Sequence, residues 1–201
     1  MIQSLQHILF GVALREVVGS TNMDIVDLQI DSRLVQKGTV FIAIKGVQVD
    51  GHDFIETAIE KGATVIVCEQ MPAQIKDAVT YIVVSNSQEA VALMAHQFYG
   101  QPSTKIKLVG VTGTNGKTTV ATLLFKLFSK MGYKCGLVST VQNQIADTII
   151  PATHTTPDAI RLNALLSNMV EAGCTHVFME CSSHAIPVSY THLRAHETLM
   201  N

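Results

Sequence analysis

The chain is 201 residues long with 47% hydrophobic and 15% charged residues, enough apolar material to bury a core in one large or two small domains. A formal net charge of −2, without a basic stripe or a charge block, argues against a nucleic-acid binder and against a disordered tail. The N-terminus lacks a charged stretch ahead of an apolar run, and no run reaches the length that spans a bilayer, so a cytoplasmic location is expected.

Leu5, Ile8, Leu9, Val12 and Val17 recur at roughly helical spacing and predict an amphipathic helix over 4–18. Short strands follow at 25–30 and 39–44. Phe54, Ile55, Ala58 and Ile59 then share one face of a helix over 52–61, with Gly62 as its stop. Strands at 64–68 and 80–84 and a helix over 87–99 complete a small α/β domain, placed at 1–100. Two of its loops follow strands, Asp31-Ser32-Arg33 and Lys45 to Gly51. Local chemistry leaves two readings open for them, ligand loops beyond strand carboxyl ends or ordinary turns.

Gly100-Gln101-Pro102-Ser103 reads as a linker, and a second domain is placed at 101–186. The strand at 106–111 runs into Thr112-Gly113-Thr114-Asn115-Gly116-Lys117-Thr118-Thr119 at the head of a helix over 117–131. Gly113 and Gly116 let backbone N–H groups converge, and a helix N-terminus adds partial positive charge. Lys117 can reach terminal phosphates and Thr118 can offer a hydroxyl to Mg²⁺. The strict G-x-x-x-x-G-K-[ST] pattern is not met, because Val111 stands at its first glycine. The helix carries an apolar stripe of Val120, Leu123, Leu124, Leu127 and Phe128.

A strand at 135–140 follows. Thr156 is expected to cap, and Pro157 to open, a helix that runs to about Glu171. The strand at 175–179 ends on Glu180. That carboxylate faces Mg²⁺ if its strand neighbours the phosphate-loop strand; otherwise it caps the Ser182–His184 turn. Cys68, Cys135, Cys174 and Cys181 form no metal-ligand spacing and read as buried, reduced thiols.

Five segments together resemble the Mur ligases: DSRLVQKGTVFIAIKG (31–46), DGHDFI (50–55), GVTGTNGKTT (110–119), THTTPD (153–158) and MECSSHAI (179–186). GTNGKTT alone would also admit a folylpolyglutamate synthetase-like ligase. The other segments point to the branch that adds the third amino acid of the peptidoglycan peptide. The resemblance implies a small N-terminal α/β domain that binds a UDP-sugar, then a central P-loop domain with a largely parallel sheet. It implies ATP-dependent amide formation on UDP-N-acetylmuramoyl-L-alanyl-D-glutamate through an acyl phosphate, with Mg²⁺, in a monomer. The added amino acid would be meso-diaminopimelate or L-lysine. By resemblance, Ile30, Ser32, Val47, Gln48 and Val49 line the UDP-sugar pocket, and Gly113, Thr114, Asn115, Gly116, Lys117, Thr118 and Thr119 hold ATP. His154, Thr155, Thr156 and Ser182 touch the muramoyl-dipeptide, Thr118 and Glu180 hold the metal, and Lys117 and Glu180 serve catalysis.

Val188 and Tyr190 stand where the resemblance expects a glutamine and an arginine, so residues 187–201 are expected to depart from the family. The family's carboxylated lysine and C-terminal domain have no counterpart in the sequence. The chain is therefore expected to be an incomplete fragment that does not ligate alone. The competing class is a non-catalytic UDP-sugar-binding module.

Overall fold

The structure is a computed structural model and describes residues 1–46, 49–151 and 158–181. The chain divides into two compact units, Met1–Phe98 and Tyr99–Asn201. Each is built on a mixed five-stranded sheet with parallel strands at its centre.

The first unit begins with β1 (Gln3–Ser4), α1 (Leu5–Ile8) and β2 (Leu14–Val18). The single helix expected over 4–18 is thus a one-turn helix followed by a strand. Gly11 takes φ +84 and ends the helical run. The apolar residues beyond it pair antiparallel with a later strand, so Val17 belongs to a sheet. The strand expected at 25–30 divides into β3 (Asp24–Ile25) and β4 (Asp27–Gln29), because the Val26 N–H leaves the ladder to donate to the Gly38 carbonyl. β5 (Thr39–Ile42), α2 (Ile55–Glu60), β6 (Val65–Cys68), β7 (Thr80–Val84) and α3 (Ser87–Phe98) follow. A 3₁₀ turn over Gly51–Phe54 precedes α2; Asp50 caps that turn, its carboxylate accepting from the His52 N–H.

The first sheet has the order β2-β7-β6-β5-β4, with β4 to β7 parallel and β2 antiparallel at one border. Every residue of β5, β6 and β7 is buried, as expected for parallel strands covered on both faces. Phe41, Ile66, Tyr81 and Val83 face Ile55 and Ala58 of α2. Parallel strands place all their carboxyl ends on one edge. The loops after β4, β5, β6 and β7 therefore gather there.

The second unit contains β8 (Lys107–Val111), α4 (Lys117–Lys130), β9 (Cys135–Val138), β10 (Gln142–Ile145), β11 (Thr148–Pro151), α5 (Ala159–Glu171) and β12 (His176–Glu180). The sheet order is β11-β10-β9-β12-β8, with β9, β12 and β8 parallel and β10–β11 an antiparallel hairpin. Strand alternation sorts the core onto two faces. Leu137 and Phe178 pack with Ala121 and Phe125 of α4, whereas Val138, Val177 and Met179 pack with Leu162, Leu166 and Met169 of α5. Helices therefore cover both faces of the parallel strands, a doubly wound arrangement.

Three expectations for this unit change. The β10–β11 hairpin was not foreseen, and the strand expected at 135–140 stops at Val138. The stripe expected on α4 is only partly buried. Ala121, Leu124, Phe125 and Phe128 meet the sheet, while Leu123 and Leu127 are 60% and 53% exposed, along with Val120. Those three lie on the helix flank away from β9 and β12, where no described residue covers them. The cap of α5 is Asp158, whose carboxylate accepts from the Arg161 N–H; Thr156 and Pro157 lie outside the described residues.

Candidate phosphate site and the neighbouring loops

β8 delivers the glycine loop. Its last residue, Val111, is paired in register with Glu180, and the Cys181 N–H donates to the Val111 carbonyl at 2.8 Å. β12 thus lies beside the phosphate-loop strand, which was the condition set for Glu180 to face a metal. In the loop Gly113 has φ +146 and Gly116 φ +81, conformations that an L side chain strains to adopt. Gly116 stands at the N-cap of α4 without a side-chain cap, and its carbonyl accepts from the Val120 N–H. The first amides of an α-helix have no carbonyl partner inside the helix and are available to an anion.

Lys117 folds back over the loop. Its Nζ donates to the carbonyls of Gly113 at 2.7 Å and Thr114 at 3.3 Å. The ammonium is held at the mouth of the loop by groups that a phosphate oxygen can replace. Thr114 and Asn115 are exposed there, and Thr118 is half-buried on the first turn of α4.

Among the described residues Glu180 is the one anionic side chain of the twelve buried polar residues, at 8% exposure. Phe178 faces α4 and Met179 faces α5, so alternation turns Glu180 toward α4, the helix that carries Lys117 and Thr118. Thr140 holds its carboxylate: the N–H donates to Oε1 and the hydroxyl to Oε2, both at 3.3 Å. Those lengths exceed the usual range for bonds to a charged acceptor, and a carboxylate has about four lone-pair sites. Buried acceptor capacity next to an anion-binding loop fits Mg²⁺, which takes one or two carboxylates and leaves its other positions to phosphate and water. Thr140 was not foreseen as a site residue; the signal was its place at the carboxyl end of β9, beside β12. The turn that Glu180 was alternatively expected to cap lies outside the described residues, as do His154, Thr155, Thr156 and Ser182. A cleft of about 360 Å³, lined by Tyr133, Lys134, Cys135 and Asp147 among others, opens at the amino end of β9. It is at the opposite end of the sheet from the loop.

In the first unit, β4 and β5 are parallel neighbours, so the segment with Ile30 and Ser32 and the loop with Val49 leave the same sheet edge. Val47 and Gln48 lie outside the described residues. Ser32 is buried, Ile30 half-buried and Val49 57% exposed. The turn chemistry weighed for the 31–33 segment is also present. Asp31 accepts from the Arg33 N–H and grips the Arg33 guanidinium through Nε and Nη2, at 2.7–3.1 Å. The Arg33 guanidinium and backbone N–H hold the Asp31 carboxyl down at about 2. On the same sheet edge, the His52 N–H lowers the pKa of Asp50, and the Ser87 N–H does the same for Glu69.

All four cysteines are buried free thiols; burial pushes Cys68 and Cys181 up to about 11. Among the described residues no helix is long and apolar enough to cross a membrane.

A parallel strand, a positive-φ glycine loop, an uncapped helix start and a buried carboxylate on the adjacent strand together define an α/β protein of the phosphate-loop class. Comparison with known proteins narrows the class. The Mur ligase catalytic-domain model matches residues 24–99, and the Mur ligase middle-domain model matches residues 111–195, which runs past Ile186. The chain belongs to the Mur ligase family. It is 56% identical over 182 residues to a UDP-N-acetylmuramoyl-L-alanyl-D-glutamate–2,6-diaminopimelate ligase from Cytophaga hutchinsonii, covering 90% of this chain and 37% of that relative. A solved diaminopimelate ligase of the same description superposes with a TM-score of 0.77 at 24% identity, over 100% of this chain and 42% of the other. A MurF ligase from Thermotoga maritima, solved in complex with ADP, gives a TM-score of 0.54 at 25% identity over 78% of this chain and 32% of its own length. The chain thus spans little more than a third of the curated relative.

Proposed function

We propose that this chain supplies the UDP-sugar and nucleotide halves of an ATP-dependent amide ligase in cytoplasmic peptidoglycan-precursor synthesis. The acceptor is UDP-N-acetylmuramoyl-L-alanyl-D-glutamate, and the added amino acid is meso-diaminopimelate. The diaminopimelate in the names of relatives 50–56% identical supports that choice. The observation that carries the reading is Glu180: a buried carboxylate with two long hydrogen bonds, turned toward the helix that starts at Lys117.

In this reading the amides at the start of α4 and the Lys117 ammonium receive the nucleotide phosphates. Lys117 exchanges its two carbonyl partners for phosphate oxygens and so neutralises charge that grows during phosphoryl transfer. Thr118 and Glu180 would hold Mg²⁺, which would supply charge screening of the phosphates. Thr140 fixes the direction of the Glu180 carboxylate. The substrate carboxylate takes the γ-phosphoryl group of ATP, with ADP leaving, to give an acyl phosphate; the incoming amine then attacks the acyl carbon, inorganic phosphate leaves, and the nitrogen loses a proton to give the amide. The protein's contribution to both steps is alignment and charge compensation. In the first unit, Ile30, Ser32 and Val49, together with Val47 and Gln48, bind the UDP-sugar.

The test is calorimetric titration of the 201-residue chain with UDP-N-acetylmuramoyl-L-alanyl-D-glutamate. Binding that UDP competes away and a folate does not supports the reading. Competition by a folate, or no binding, refutes it.

A further inference from the structure

The loop between β5 and α2 has a narrow neck on the carboxyl edge of the first sheet. Lys45 and Asp50 form an antiparallel bridge, the Gly46 N–H donates to the Val49 carbonyl at 3.0 Å, and the Gly51 N–H donates to the Ile44 carbonyl at 2.8 Å. The two sides nearly touch: a Cβ on Gly51 would stand 2.6 Å from the Ile44 nitrogen and 2.7 Å from its oxygen.

His52 leads out of that neck, and its ring is largely buried. Nδ1 lies 2.6 Å from Oδ1 of Asp50, and the Glu69 backbone N–H donates to Nε2 at 2.9 Å. A backbone N–H can only donate, so Nε2 must present its lone pair. The proton is therefore on Nδ1 and is donated to Asp50. Glu69 follows the last residue of β6, and its Oε1 accepts from both the N–H and the hydroxyl of Ser87 at the start of α3, at 2.9 and 2.8 Å. A single line of hydrogen bonds, Asp50–His52–Glu69–Ser87, thus crosses the carboxyl ends of β5, β6 and β7.

We propose that His52, as the neutral Nδ1–H tautomer locked between Asp50 and the Glu69 amide, is the positioning residue that holds the neck of the β5–α2 loop, Lys45–Gly46 on one side and Val49–Asp50 on the other, where it meets the nucleotide sugar. The inference rests on the reading that this loop binds the UDP-sugar. Each contact fixes one end of the device. Asp50 anchors the loop, the Glu69 amide anchors the sheet, and the flat ring between them sets their separation.

Two measurements on the 201-residue chain test it. Long-range proton–nitrogen NMR correlation reads the tautomer without any ligand: a protonated Nδ1 and bare Nε2 are expected, and a proton on Nε2 overturns the proposal. Calorimetry then compares wild type with His52→Ala, His52→Asn and His52→Gln for UDP-N-acetylmuramoyl-L-alanyl-D-glutamate, with a cooperative urea transition of the first unit as the control for its folding and MgADP binding as the control for the second unit. Asn keeps an N–H toward Asp50, and Gln keeps an acceptor toward Glu69. Loss of about 10-fold or more in His52→Ala, with partial recovery in Asn and Gln and MgADP affinity unchanged, is expected. Wild-type affinity for the UDP-sugar in all three variants overturns the positioning role while leaving the ligand reading intact. A wild type with the expected tautomer that binds no UDP-sugar overturns the ligand reading, and the inference with it.

Discussion

Glu180→Gln is predicted to stabilise the second unit while removing its metal-dependent nucleotide binding. The carboxylate is nearly out of solvent, and its hydrogen-bond partners among the described residues are the N–H and hydroxyl of Thr140, both at 3.3 Å. Holding a charged carboxylate out of water costs several kcal/mol after relaxation. An amide is isosteric: its oxygen accepts from the Thr140 N–H, and its nitrogen donates to the Thr140 hydroxyl. What is lost is the difference between charged and neutral hydrogen bonds, about 1 kcal/mol for each of two bonds, and less at these lengths. The balance favours the amide by roughly 1–2 kcal/mol, and each kcal/mol raises Tm by about 4–8 °C in a unit of this size. Glu180→Ala has the opposite sign. It leaves the Thr140 N–H without an acceptor, at about 1–3 kcal/mol, and opens a void. Thermal melts in EDTA read stability, and titration with ADP in Mg²⁺ reads function. A Gln variant that melts lower than wild type, or that binds MgADP as wild type does, refutes the reasoning.

Three further outcomes follow from the geometry. Gly51→Ala forces a Cβ into the Ile44 backbone and breaks the Gly51–Ile44 hydrogen bond, so urea denaturation of the first unit should show a loss of about 2–4 kcal/mol. Asp31, held from its ordinary 3.8 down to about 2, contributes stability that is present above pH 4 and lost as pH falls toward 2. Denaturation curves across that window should fall more steeply for wild type than for Asp31→Asn, by a small margin because the pair is exposed. Cys68 and Cys181, pushed up to about 11, should react with a thiol reagent at pH 8 far more slowly in the folded chain than in urea, with mass spectrometry reading each site.

The parallel strands were legible because they are continuous apolar runs. Thr80–Val84 begins and ends where the sequence placed it, and β6 and β12 shift by a single residue. Loops with a chemical signature were equally clear: GTNGKTT names its own strand–loop–helix setting. Weak periodicity failed where pairing overrode it. Val12 and Val17 fit a helical wheel, yet Gly11 at positive φ releases the chain to pair with β7. β10 carries a single apolar residue, Ile145, and the hairpin turns at Ala146, a non-glycine residue at φ 49, so no glycine turn signal marked it. Glu180 could be suspected from the sequence, but its strand neighbour could not, because the order β9-β12-β8 joins segments far apart in the chain. The His52 and Thr140 contacts escaped for the same reason: each links loops brought together only by the sheet edge.

The central claim is that the glycine loop, Lys117 and Glu180 form one Mg²⁺-nucleotide phosphate site. It is tested most directly by titrating ADP into the 201-residue chain with and without Mg²⁺, in wild type and in Lys117→Ala. The lysine's contacts are to two loop carbonyls at the surface, so its loss should change stability by no more than about 0.5 kcal/mol. The account predicts ADP binding that weakens by about 10-fold or more when Mg²⁺ is withdrawn, and again when Lys117 is removed. ADP affinity indifferent to both changes would contradict it.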